Sequence, residues 1–174
     1  MFAMGSNCNT SDRNTYVPEP RVRIKQTANE ENTRNGIKMG RYLLAYLVTM
    51  VIFFAIDFIW LGTVAKSFYR NEIGPLLLDN FNIPVAMCFY VMYVAGIIVF
   101  AVSPALDSGS LRTALLQGAL FGFFTYATYD FTNLATLKGY TTKVAIVDTI
   151  WGTFLVAATS VAATWITCKL VGAE

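Results

Sequence analysis

Histidine is absent from the 174-residue chain, which removes the commonest metal ligand and the side chain that ordinarily exchanges a proton near neutral pH. Cysteine is scarce. Cys8, Cys88 and Cys168 are far apart and odd in number, and two of them lie in apolar segments, where a thiol behaves as a small hydrophobe. With no zinc or redox spacing, neither a metal nor another cofactor is expected. Charged residues make up 14% of the chain, against about 25% in a soluble domain. Of the 13 basic and 11 acidic residues, 11 stand before Tyr42. The net charge of +2 is too small to point to nucleic acid. No nucleophile stands beside a base and an orienting group, so the residues lean away from an enzyme.

What is present is apolar: hydrophobic residues are 55% of the chain and the mean hydropathy is +0.50. Such a chain leaves no wettable surface, so lipid is its expected solvent. Four apolar segments follow Tyr42, at about 42–64, 83–103, 114–137 and 144–168. Each has about the twenty residues that cross a ~30 Å hydrocarbon core at 1.5 Å per residue. The expected fold is therefore all-α, a polytopic four-transmembrane-helix bundle over residues 39–174. Pro84 opens the second segment and Pro104 closes it. The first loop suggests a short interfacial helix around Leu76-Leu77-Leu78. Asp107-Ser108-Gly109-Ser110 reads as a turn, and Lys138 to Lys143 as a tight hairpin.

Residues 1–38 are polar, with Pro18 and Pro20, and carry the composition of a disordered tail. They lack the apolar stretch of a secretory signal. A competing explanation is a mis-called start, because Met39-Gly40-Arg41-Tyr42 reads like a natural beginning. Basic residues near the segment ends number six on the N-terminal side (Lys25, Arg34, Lys38, Arg41, Arg112, Lys169) and four opposite (Lys66, Arg70, Lys138, Lys143). That balance favours cytoplasmic termini; without the tail the count is three to four and the inference lapses.

Three carboxylates, Asp57, Asp130 and Asp148, fall inside the apolar segments. A charge at membrane depth costs roughly 2.5–3.5 kcal/mol on insertion scales. Alternating spans set all three at a similar depth, roughly 7–10 Å below the same interface. Each is followed three residues later by a donor on the same helical face: Trp60, Asn133 and Trp151. Tyr126 and Tyr129 add hydroxyls near Asp130, and Lys66, Arg70, Lys138 and Lys143 could dip toward the group from the loops. The expected picture is a polar pocket capped by cations. Gly118 and Gly122 form a G-x-x-x-G stripe for close helix approach, and Asp148 shares a face with Gly152. A structural reading competes, in which the carboxylates tie helices together by hydrogen bonds. Asp148, near a helix N-terminus, also has the macrodipole in its favour, whereas Asp57 and Asp130 have it against them. Asp57-Phe58-x-x-Leu61-x-Thr63 repeats as Asp130-Phe131-x-x-Leu134-x-Thr136, an echo of a parallel two-helix repeat.

Several motifs also resemble a known family. Tyr46-Leu47-Val48-Thr49, Ala55-Ile56-Asp57-Phe58-Ile59-Trp60-Leu61-Gly62, Phe68-Tyr69-Arg70, Gly74-Pro75-Leu76 and Tyr93-Val94-Ala95-Gly96 belong to the likeness. It is strongest in Tyr126 to Lys138 and in Val147-Asp148-Thr149-Ile150-Trp151-Gly152-Thr153. Together they are similar to the bacterial predicted membrane proteins grouped as domain of unknown function 2177, over roughly residues 42–168. The resemblance implies four helices in a bacterial inner membrane, and it brings no established activity with it. Three function classes are open at this point. One is proton- or cation-linked small-molecule transport, for which four short helices imply a homodimer. The others are an enzyme or accessory of membrane lipid metabolism, and a scaffold or assembly factor.

Overall fold

The computed structural model describes residues 20–80 and 82–171, and their secondary structure is entirely helical. The chain divides into two units, Met1–Ile37 and Lys38–Glu174. The first is helical from Pro20, where composition suggested disorder; Lys25, Gln26, Ala28, Glu30 and Glu31 are all good helix formers. The rest of the expected tail, residues 1–19, lies outside the described residues.

The second unit is an all-α bundle. Its elements are α1 (Pro20–Trp60, which enters this unit at Lys38), a π-turn (Leu61–Ala65), α2 (Lys66–Ile73) and a 3-10 turn (Gly74–Leu76). They are followed by α3 (Ile83–Ile97), a second π-turn (Ile98–Val102), α4 (Ser103–Ser108), α5 (Leu111–Thr136) and α6 (Thr142–Val171). Lys38–Leu76, Ile83–Ser108 and Thr142–Val171 are long and apolar enough to cross a membrane. The fourth helix, α5, has 26 residues, about 39 Å at 1.5 Å per residue. It carries Gln117, Thr125, Thr128, Asp130, Thr132 and Asn133 along its length.

Helix ends differ from the sequence expectation in two instructive places. The first span does not stop at residue 64 but turns through the π segment into α2, and the helix of the first loop is Lys66–Ile73 rather than one centred on Leu77. Pro104 does not end the second span either. A proline ring collides with the carbonyl four residues back in a regular helix. Here the π-turn widens the coil just ahead of it, with the Ser103 N–H donating to Ile98 O, and helix resumes to Ser108. Gly109, at φ +64°, then stops it in the left-handed conformation.

The main core is built from Ala45 and Phe53 of α1, Tyr93, Val94 and Ile97 of α3, and Leu155 and Val156 of α6. A smaller cluster of Ile73, Tyr140, Val144 and Ala145 closes one end, with Phe68, Tyr69 and Leu134 against it. The outside is apolar on every long helix: Ile59 is 68% exposed, Met92 63%, Phe124 62% and Ile150 65%. A continuous apolar exterior is untenable in water and ordinary in lipid.

Candidate functional site

The α5–α6 pair sets the framework. Gly118 lies under Ser160 and Val156, and Gly122 under the Gly152 carbonyl and Val156. A Cβ at Gly152 would overlap the Tyr126 ring, so that ring sits directly on the α6 backbone. This close approach brings Thr149 of α6 to Asp130 of α5, Oγ1 to Oδ2 at 3.4 Å.

Asp130 is fully buried. Its second partner comes from the α5–α6 hairpin, where the Tyr140 hydroxyl donates to Oδ1 at 2.6 Å. Gly139, at φ +89°, makes the reversal that returns Tyr140 into the bundle. Burial first, then the Asp130 carboxylate, raises the Tyr140 phenol above its ordinary range. It therefore remains a neutral donor. Asp57, 6% exposed, accepts from the Tyr90 hydroxyl of α3 at 2.9 Å. The Tyr90 ring is held by Phe54, with centroids 4.9 Å apart. Asp148 is half-buried and accepts from the Tyr69 hydroxyl of α2.

The first π-turn places Tyr69 there. In an unbroken α-helix Tyr69 would stand roughly 120° around the axis from Asp57. One extra residue in a turn sets every later residue back by about 100°, which returns Tyr69 to the carboxylate face. Trp60 and Trp151 stack across α1 and α6, centroids 4.4 Å apart and planes at 13°. Thr149, next to Asp148, bonds Asp130, and the Trp60–Trp151 stack stands one turn from both Asp57 and Asp148. Three carboxylates from three helices thus share one neighbourhood, and each meets a tyrosine hydroxyl from another element.

The partners are not those the spacing suggested. The indole N–H groups of Trp60 and Trp151 are buried and form no hydrogen bond of ordinary geometry, although Trp151 stands beside Asp57 and Trp60 beside Tyr69. Asn133 is half-buried and forms no side-chain hydrogen bond among the described residues. Tyr129 is 62% exposed and faces outward, one residue from Asp130. The expected cationic cap is also absent among the described residues. Lys143 pairs with Glu72 at 2.6 Å, and no basic side chain reaches Asp57, Asp130 or Asp148. The hydrogen bonds to the group come from hydroxyls, and no basic side chain pairs with it. Asp130 has two donors, whereas Asp57 and Asp148 retain acceptor capacity.

Tyr69, Tyr90, Tyr140 and Thr149 were the members that sequence reasoning missed. Their partners lie 79, 33, 10 and 19 residues away, beyond any helical periodicity. The one signal was a hydroxyl-bearing residue inside or beside an apolar run, which needs a partner once lipid surrounds it. In the two echoing segments Thr63 donates to Ile59 O and Thr136 to Thr132 O, a contact that Thr49, Thr125, Thr128 and Thr153 also make outside them. No cluster of metal-ligand residues occurs among the described residues.

No curated protein and no solved structure matches the chain. The family model described as predicted membrane protein (DUF2177) matches residues 42–165, a stretch that takes in all three carboxylates and their tyrosine partners. The chain belongs to that family of membrane proteins.

Proposed function

We propose that the Asp57–Asp130–Asp148 cluster binds a proton or a small cation and couples it to movement of a small molecule across the membrane. One observation carries this reading: two buried carboxylates and a half-buried third lie on neighbouring helices, hydrogen-bonded by hydroxyls and paired with no basic side chain. Negative charge in a low-dielectric interior is costly without a counter-charge. Tyrosine O–H groups orient the carboxylates and supply no charge, so a mobile cation is the natural complement. Four helices enclose little space. A homodimer, in a bacterial inner membrane with cytoplasmic termini, completes the reading.

The test is flux. Protein in sealed liposomes carrying a trapped pH-sensitive dye is driven by a potassium diffusion potential, with and without sodium. Wild type is expected to carry protons or sodium, and Asp57→Asn and Asp148→Asn to reduce the rate at least about tenfold. Equal, background-level signals from wild type and both variants sink the reading.

The satisfied state of Asp130, with Tyr140 and Thr149 both donating, favours a second reading for that residue: internal fastening within a scaffold. Under it Asp130→Asn lowers thermal stability and leaves flux per folded molecule unchanged. An enzyme or accessory of membrane lipid metabolism is the remaining alternative, and identical lipid profiles of cells with and without the protein would remove it.

A further inference from the structure

The π-turn that presents Tyr69 to the bundle leaves a second face on the outside. There Gly62, Thr63, Lys66, Ser67 and Arg70 line an open depression, and all five are exposed. Lys66 and Arg70 are one α-turn apart on α2 and make no ion pair among the described residues, whereas Lys143 takes Glu72 and Arg41 takes Asp107. Inward, α2 is held by Ile73, which is buried, and by Tyr69, which bonds Asp148. Back along the helix the same outer side is apolar, with Val51 69%, Phe58 60% and Ile59 68% exposed. A Cβ at Gly62, between the apolar and basic stretches, would meet nothing within 4 Å.

We propose that this face holds one anionic phospholipid. Its phosphate lies between the Lys66 ammonium and the Arg70 guanidinium, with the Ser67 hydroxyl beside it. Its acyl chains run along Ile59, Phe58 and Val51. Arginine's planar fork suits phosphate oxygens, and both long side chains reach a headgroup from a helix at the boundary. Charge complementarity selects an anionic lipid over a zwitterionic one, whose own cation competes with Lys66 and Arg70. The open space at Gly62 is where the lipid passes from chains to headgroup. This reading is independent of any coupled transport.

The full-length protein is put into nanodiscs of phosphatidylcholine with a minor share of phosphatidylglycerol, then released in the mass spectrometer to count retained lipids. Retention of phosphatidylglycerol in preference to phosphatidylcholine is expected in wild type. It should fall at least about tenfold in Lys66→Gln/Arg70→Gln. Gly62→Leu, which keeps both charges, should also weaken it, and Lys138→Gln should not. Inorganic phosphate, which has no chains, is expected to leave the retained lipid in place. Equal retention of the two lipids, undiminished retention by the doubly neutralised protein, or full displacement by inorganic phosphate would each overturn the proposal. All substituted side chains are exposed or meet open space, and melting curves matching wild type verify the fold.

Discussion

At the scale of single residues, the carboxylates within the bundle are held by a few O–H bonds from other elements. Removing the Tyr140 hydroxyl leaves Asp130 with one donor at 3.4 Å, from Thr149. Tyr140→Phe should destabilise the protein by about 1–3 kcal/mol, the cost of a buried acceptor losing its partner, seen as a lower melting temperature in detergent. Asp57 and Tyr90, bonded at 2.9 Å, provide a sharper test. In a double-mutant cycle of Asp57→Asn and Tyr90→Phe, the two changes should couple by about 0.5–3 kcal/mol. Strict additivity would mean that the two side chains do not meet. The carboxylates themselves stood out in the sequence, since an aspartate in a twenty-residue apolar run needs a reason. Their partners did not, because a helical repeat relates residues a turn apart and says nothing of a tyrosine on another helix.

At the scale of elements, register decides the site, and two interruptions set it. The Leu61–Ala65 π-turn rotates α2 so that Tyr69 faces Asp148. Deleting Val64 should convert it to an ordinary α-turn and preserve that facing. Inserting one alanine after Val64 should turn Tyr69 away and cost about 1–3 kcal/mol, by leaving a carboxylate without its donor. Circular dichroism melts of both variants in detergent measure the contrast, and equal melts would contradict it. Between α5 and α6, Gly152→Ala sets a methyl group into the Tyr126 ring and should cost about 1–3 kcal/mol. Gly62→Ala, where nothing lies within 4 Å, should be close to silent. The four long helices were legible from hydrophobic run length alone. The π-turns were not, because one surplus residue leaves composition and hydropathy unchanged while altering which face every later residue presents. Pro104 misled for the same reason: its steric conflict is real, and a widened turn resolves it without ending the helix.

At the scale of the whole molecule, the apolar exterior and the polar interior exchange the usual arrangement of a soluble protein. Lipid solvates the outside, and the functional question concentrates on the few charges kept within. The central claim is that the shared carboxylate neighbourhood takes up a mobile counter-charge. Infrared difference spectroscopy of the protein in bilayers measures it most directly, following carboxyl vibrations through a pH titration and then a sodium titration. The account predicts carboxyl bands that respond to at least one titrant and lose amplitude in Asp57→Asn and again in Asp57→Asn/Asp148→Asn. Carboxyl bands that ignore both titrants, or that respond identically in wild type and the double variant, would contradict it.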